Sequence, residues 1–169
     1  MFGVADKPRN DRAMESRGAC RVGRVIAVCT SKEKGVRKED VGEGVLKEQY
    51  GLVGDAHADY TWHRQVSLLG VESIEKMRKI GYDVGPGDFA ENLTCEGIDL
   101  LKLPIGTRVT VGDEIELEIS QIGKECHSGC AIFKQTGKCI MPKEGIFSRV
   151  IRGGKVKTGD KIEVKPSPK

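Results

Sequence analysis

No apolar run in this 169-residue chain approaches the roughly 18 residues that a membrane-spanning helix needs, so no membrane association is predicted. The first 20 residues lack the apolar centre of a secretory signal, and their three acidic groups are unlike a transit peptide, so a cytoplasmic protein is expected. The 22 glycines follow no three-residue period, which excludes a collagen-like chain. Charge of one sign is also scarce. The net +3 resides in residues 1–24, where six basic residues face three acidic ones, and the remainder balances at 22 against 22. Phosphate-backbone binding needs clustered Lys and Arg on the fold itself, so no nucleic-acid partner is expected.

Six cysteines remain to be explained. In a reducing compartment they read as buried small hydrophobes, metal ligands or reactive thiols rather than a disulfide framework. Residues 1–19 are polar and without sustained period, which predicts a disordered tail; the domain is expected over 20–165, with a short C-terminal tail at 166–169.

Hydrophobic periodicity supplies the elements. Strands are predicted at Arg24 to Cys29 and Gln65 to Leu69, and at Glu114 to Ile119, where Ile115, Leu117 and Ile119 share a face. One helix is predicted, with Val71, Ile74, Met77 and Ile80 on its apolar side, Glu72–Lys76 and Glu75–Lys79 as i,i+4 pairs, and Gly81 as its stop. Residues 108–119 and 154–165 share a short strand, a Gly-Asp turn and an alternating strand, so both are expected to be hairpins. With no βαβ alternation, the fold is expected to be mainly β and barrel-like, with one or a few short helices.

Three segments concentrate chemistry: GDAHADYTWHRQVSLL (54–69), GPGDFAENLT (85–94) and GKECHSGCAIFKQTGKCIMPKEGIF (123–147). The last holds Cys126, His127, Cys130 and Cys139, a set that suits zinc in softness but lacks paired short spacings, and that reads equally as buried thiols. Cys130 follows Gly129 and has Lys124, His127 and Lys134 nearby, cations that favour a thiolate able to act as nucleophile, persulfide carrier or soft metal ligand. Cys20, Cys29 and Cys95 lie in or beside apolar runs and are expected to be buried and inert. His57 and His63 with Asp55 and Asp59 resemble a carboxylate–imidazole cluster, although Asp55 alternatively orients a turn. Arg64 is placed either to hold an anion or to pair with Glu91 or Asp88. Asn92 either reads the heteroatom edge of a ring or satisfies a turn.

Taken in order, GLVGDAHA, HRQVSLL, GDFAENLT, IGTR, GKECHSGC and CIMPKEGIF resemble the MOSC domain family, named for the C-terminal part of the molybdenum cofactor sulfurase, from about Val22 to Val164. The resemblance implies a barrel related to the pyruvate kinase β-barrel domain and binding of the molybdenum cofactor (molybdopterin). It implies that Cys130 accepts sulfur as a persulfide or ligates molybdenum; Cys126 and His127, candidate catalytic residues beside it, are not general features of the family and are similar instead to a subgroup of short bacterial and archaeal members. Asn92 matches the family Asn in the segment that begins Gly-x-Phe; with it, Asp55, His57, Arg64, Ser67, Phe89, Glu91 and Lys124 are expected at the cofactor site, where Arg64, Lys124 or Arg149 would neutralise the pterin phosphate. Amidoxime-reducing members carry Arg-Pro where this chain has Ala90-Glu91, so Glu91 is expected to oppose a phosphate here. A cysteine desulfurase or a molybdoenzyme is the implied partner, and pyridoxal phosphate is expected only on such a partner. The alternative is a non-catalytic metal-binding or cofactor-carrier module that uses Cys126, His127, Cys130 and Cys139.

Overall fold

A computed structural model describes residues 20–124 and 139–166. Seven strands close on themselves: β1 (Val22–Thr30), β11 (Lys161–Val164), β7 (Arg108–Val111), β8 (Ile115–Ile122), β9 (Ile146–Arg152), β5 (Val66–Gly70) and β6 (Leu93–Glu96), with β6 returning to β1. A further short strand, β2 (Glu39–Asp40), adds to the end of β1. All these pairings are antiparallel except β5 with β6. A parallel pair needs a crossover, here supplied by α1 (Val71–Lys79). Closure leaves the barrel strands without a free edge.

Strand periodicity decides what enters the barrel. Ile115, Leu117 and Ile119 all point inward as expected, and Glu116 and Glu118 between them pair with Arg108 outside. In β1 the register shifts between Val25 and Ala27, so the strict alternation breaks and Ala27, Val28 and Cys29 are buried in succession. Cys29 and Cys95 are buried as expected, but Cys20 is exposed: it precedes β1 and is held through its backbone to Asp99.

A three-stranded sheet of β3 (Glu43–Lys47), β4 (Gly51–Leu52) and β10 (Gly154–Lys157) adds Leu46, Leu52 and Val156 to the same core. This corrects the two-hairpin expectation. Residues 108–119 form a hairpin, with three residues between the Val111 and Ile115 partners and Gly112 at φ +60°. Residues 154–165 do not, because β10 pairs with β3 whereas β11 pairs with β7 and β1. At the Gly-Asp step the chain bonds instead to Val25, the Gly159 amide to its carbonyl and its amide to the Asp160 carbonyl.

The predicted helix forms and stops before Gly81, at φ +105°. Its expected i,i+4 pairs do not form. Glu72 accepts from the Gly97 amide, Lys76 reaches Glu144 at 2.7 Å, and Glu75 pairs with Arg78. Ile80 caps the helix and is exposed rather than buried. Ile74 and Met77 pack with Leu69, Phe89, Met141 and Phe147 into a second core outside the barrel wall.

Candidate functional site

Successive residues of a strand face opposite ways, and on β5 this alternation creates the site. Val66 and Leu68 enter the barrel, while Ser67 and Leu69 face outward toward the second core. Ser67 stands opposite Phe147 of β9, and both line a cavity of about 260 Å³. The cavity therefore lies against the outer face of the barrel wall, roofed by the loop between β4 and β5. Phe89, Met141 and Phe147 supply apolar walls from the second core, and Lys34, Arg64 and Lys124 bring cations to the rim.

Of the residues expected at a cofactor site, His57, Arg64, Ser67, Phe89, Asn92 and Lys124 line this one cavity. Asp55 and Glu91 stand behind it, fully buried. Cys126, His127 and Cys130 lie outside the described residues. The described residues on either side of the segment that carries them are Lys124 and Cys139; Cys139 packs against the second core and is followed by α2 (Met141–Glu144). Lys124 and Met141 both line the cavity, and the Lys124 amide donates to the Pro142 carbonyl at 3.1 Å, so the two ends of the segment are pinned together at its rim.

Arg64 lies between two aromatic rings, its guanidinium carbon 5.1 Å from the Trp62 centroid and 5.4 Å from that of Phe147. Such cation–π contacts hold the planar group without neutralising it. The alternative ion pair is not formed: Asp88 meets Arg37 at 3.5 Å, and Glu91 points away. Among the described residues Arg64 has no carboxylate partner.

The Glu91 side chain turns into the fold and is absent from the cavity lining. Its Oε1 accepts from the Gly87 amide at 2.5 Å and from Thr94 Oγ1 at 2.8 Å, while Oε2 is buried without a hydrogen-bond partner among the described residues. Burial pushes its carboxyl up, which favours the protonated form. The cavity wall at this point is Ala90, held at φ +64°, so the backbone turn directs Glu91 inward.

Asn92 bridges three strands. Its Oδ1 accepts from the Ser67 amide at 3.0 Å and from Ser67 Oγ at 3.2 Å, and its Nδ2 donates to the Cys29 carbonyl at 3.1 Å. It thus ties β1 to β5 at the head of β6 and is fully buried in the cavity wall that it helps to form.

Asp55 forms the turn foreseen as one of its two readings, accepting from the Ser31 amide at 3.1 Å and the His57 amide at 3.0 Å. It also pairs at 2.5 Å with Lys38, and both side chains are inaccessible to solvent. Burial would raise the Asp55 carboxyl, but the hydrogen bonding of His57 and Lys38 and the lysine charge hold it well below the usual carboxylate range. Burial lowers the Lys38 ammonium, opposed by Asp55. Nothing in the sequence marked Lys38, one cation among several in SKEKGVRKED, as a buried member of this site. Asp59, expected in a cluster with the histidines, lines the cavity beside His57 and accepts from the Thr61 amide and hydroxyl; Lys34, Trp62, Met141 and Phe147 also line it and carried no sequence signal beyond their proximity to the motifs.

His63 lies elsewhere. Ser120 Oγ donates its only proton to the His63 carbonyl at 3.0 Å, so its contact with Nδ1 at 3.0 Å makes that nitrogen the donor. Burial lowers His63, and Arg149 and Arg64 act in the same direction. No group of three or more His, Cys, Asp or Glu able to hold a metal occurs among the described residues. No helix of the described residues is long and apolar enough to cross a membrane.

Comparison with known proteins agrees with this architecture. The fold is similar to that of the YuaD protein from Bacillus subtilis, with a TM-score of 0.71 at 18% identity over 89% of this chain and 100% of that one. YiiM from Geobacillus stearothermophilus matches with a TM-score of 0.65 at 18% identity, over 85% of this chain and 75% of its own. YiiM from Escherichia coli matches with a TM-score of 0.61 at 22% identity, over 86% and 71%. No curated protein matches the chain. The sequence model of the MOSC domain matches residues 55–163, which span the roof loop, α1, the cavity wall and the barrel strands β5 to β9. With its closed seven-stranded barrel and a family match over more than half its length, the chain belongs to the MOSC domain family.

Proposed function

We propose that this protein binds the molybdenum cofactor in the cavity on the outer barrel wall and that Cys130 is its working thiol. The MOSC family is commonly related to that cofactor. The observation that carries the reading is the convergence of Arg64, Lys34 and Lys124 with three aromatic rings at a cavity whose rim also holds both ends of the cysteine-bearing segment. Clustered cations, among them an Arg64 without a carboxylate partner among the described residues, suit a phosphate, flat apolar walls suit a pterin, and partial enclosure suits a small ligand. Cys130 follows Lys124 by six residues, which at about 3.5 Å per residue keeps it within roughly 20 Å of the rim.

The bound cofactor supplies the metal that receives or is held by a sulfur atom. The chain supplies the rest. Arg64 and Lys124 hold the anionic end, Phe89 and Phe147 exclude water, and the Cys130 thiolate is the sulfur nucleophile. In sulfur transfer that thiolate attacks the terminal sulfur of a desulfurase persulfide. A new S–S bond forms on Cys130 as the old one breaks, and the desulfurase thiolate leaves, with no net oxidant required.

Protein purified without oxygen is expected to contain molybdenum or tungsten with pterin in comparable amounts, by elemental analysis and by pterin fluorescence after oxidation. Arg64→Ala is expected to lose most of the pterin, and Cys130→Ala to lose desulfurase-dependent persulfide labelling. Stoichiometric zinc without pterin would support the metal-binding module instead. Retention of both cofactor and label by Cys130→Ala would remove that residue from its role.

A further inference from the structure

The buried Lys38 ammonium has more neighbours than stability explains. It sits in the loop between β1 and β2 and is directed at Ser31 Oγ at 3.2 Å, Asp55 Oδ1 at 2.5 Å and His57 Nδ1 at 2.9 Å. An ammonium has three donors and no acceptor, so these three contacts use all its protons and His57 Nδ1 must accept. The competing arrangement, Nδ1 donating to Asp55, is not built: Oδ2 is 3.8 Å from Nδ1 and is occupied by the His57 amide. The ring proton therefore resides on Nε2. That nitrogen has no partner among the described residues, and the ring, about one-third exposed, lines the cavity with Lys34, Arg64 and Lys124.

A buried ion pair contributes little stability that well-packed apolar residues could not replace. This one instead fixes which ring nitrogen carries a proton. We propose that Lys38 is a positioning residue that locks His57 in its neutral Nε2–H form, making His57 a directed hydrogen-bond donor to an oxyanion or carbonyl oxygen of the ligand. The inference rests on the reading of this cavity as the ligand site. Three flexible or stacked cations attract an anion from any direction, whereas a single fixed N–H selects the ligand that offers an acceptor at one place. Asp55 completes the device. It holds the ammonium by charge and the His57 backbone by its amide, so both ends of the Lys38–His57 contact are anchored to one carboxylate.

The test is the long-range proton–nitrogen NMR spectrum of the full-length protein, which distinguishes the two tautomers directly. The Nε2–H pattern is expected for His57 in the wild type, and a mixture in Lys38→Met. Because Lys38→Met strands Asp55 in the interior, the Lys38→Met/Asp55→Asn double variant, which removes both charges, is measured alongside and is expected to show the same mixture. An Nδ1–H pattern in the wild type, or an unchanged pattern in a folded variant lacking Lys38, would overturn the proposal. Titration with inorganic phosphate is expected to shift the His57 Nε2 resonance. His57→Phe should weaken phosphate binding about tenfold, and His57→Gln, whose amide can place a donor near Nε2, should restore most of it. Phosphate binding insensitive to His57→Phe would also overturn the proposal. Protein that shows the tautomer and the His57-dependent phosphate site, but purifies without pterin, would refute the cofactor assignment while upholding this one.

Discussion

Replacing Asn92 by alanine separates a structural strap from a ligand contact. The side chain accepts from the Ser67 amide and hydroxyl and donates to the Cys29 carbonyl, all inside the fold. Truncation leaves the Ser67 amide without its acceptor, a cost of about 2 kcal/mol for a buried orphaned donor, and the bond to Cys29 adds about 1 kcal/mol. The expected loss is about 3 kcal/mol, a large part of the stability of an ordinary domain. For a chain of this size it corresponds to a Tm lower by roughly 10 °C. Urea unfolding should show the midpoint fall with an unchanged slope, since the surface exposed on unfolding is the same. Asn92→Asp sharpens the test. When protonated, the new carboxyl can still donate to the Cys29 carbonyl; when ionised, it presents a buried charge. Its folded pKa is therefore raised, and its stability relative to wild type should fall as pH rises above about 4, where the unfolded chain already ionises. A loss below about 1 kcal/mol in Asn92→Ala, the range of surface substitutions, together with vanished pterin content, would refute the strap and make Asn92 a direct ligand contact.

Gly87 has φ +86°, and an added Cβ would lie 2.2 Å from the Lys38 carbonyl oxygen, so Gly87→Ala should cost about 3 kcal/mol from the left-handed backbone and the displaced Lys38 loop; an unchanged urea midpoint would contradict this. The Asp55 carboxyl is depressed in the fold, so its contribution is fully present above about pH 4 and is lost as pH falls below that value; Asp55→Asn should flatten the fall of wild-type stability between about pH 5 and 2, and parallel curves would contradict the linkage. Burial raises Glu91, so the folded protein retains a proton that the unfolded chain releases above about pH 4. Wild-type stability should then decline relative to Glu91→Gln as pH rises, and a constant difference between them would show that Glu91 is ionised in place.

Much of the barrel is legible in the chain because its causes are local. Alternation along Ile115, Leu117 and Ile119 requires only that one face be buried, and the three-residue apolar recurrence from Val71 to Met77 before Gly81 requires only a helix that ends. The motif set in 54–69 and 85–94 placed His57, Arg64, Ser67, Phe89 and Asn92 as candidates, and the fold gathers all five at one cavity. What they do there was not legible. Asn92 holds strands together, Glu91 turns inward, and Lys38 enters the site from a loop that reads as solvated.

The sequence by itself determined the strand faces, the helix, the hairpin at Gly112 and the family, since each depends on residues close together in the chain or on a pattern of motifs. Tertiary structure alone decided that β10 leaves its look-alike partner for β3, that β1 closes the barrel on β11, and which carboxylate each cation meets. The physical reason is that backbone pairing and charge are non-specific at the level of the single residue. A Lys or a Glu carries no address, and its partner and its burial follow only when strands distant in sequence pack and determine which polar groups lose water together.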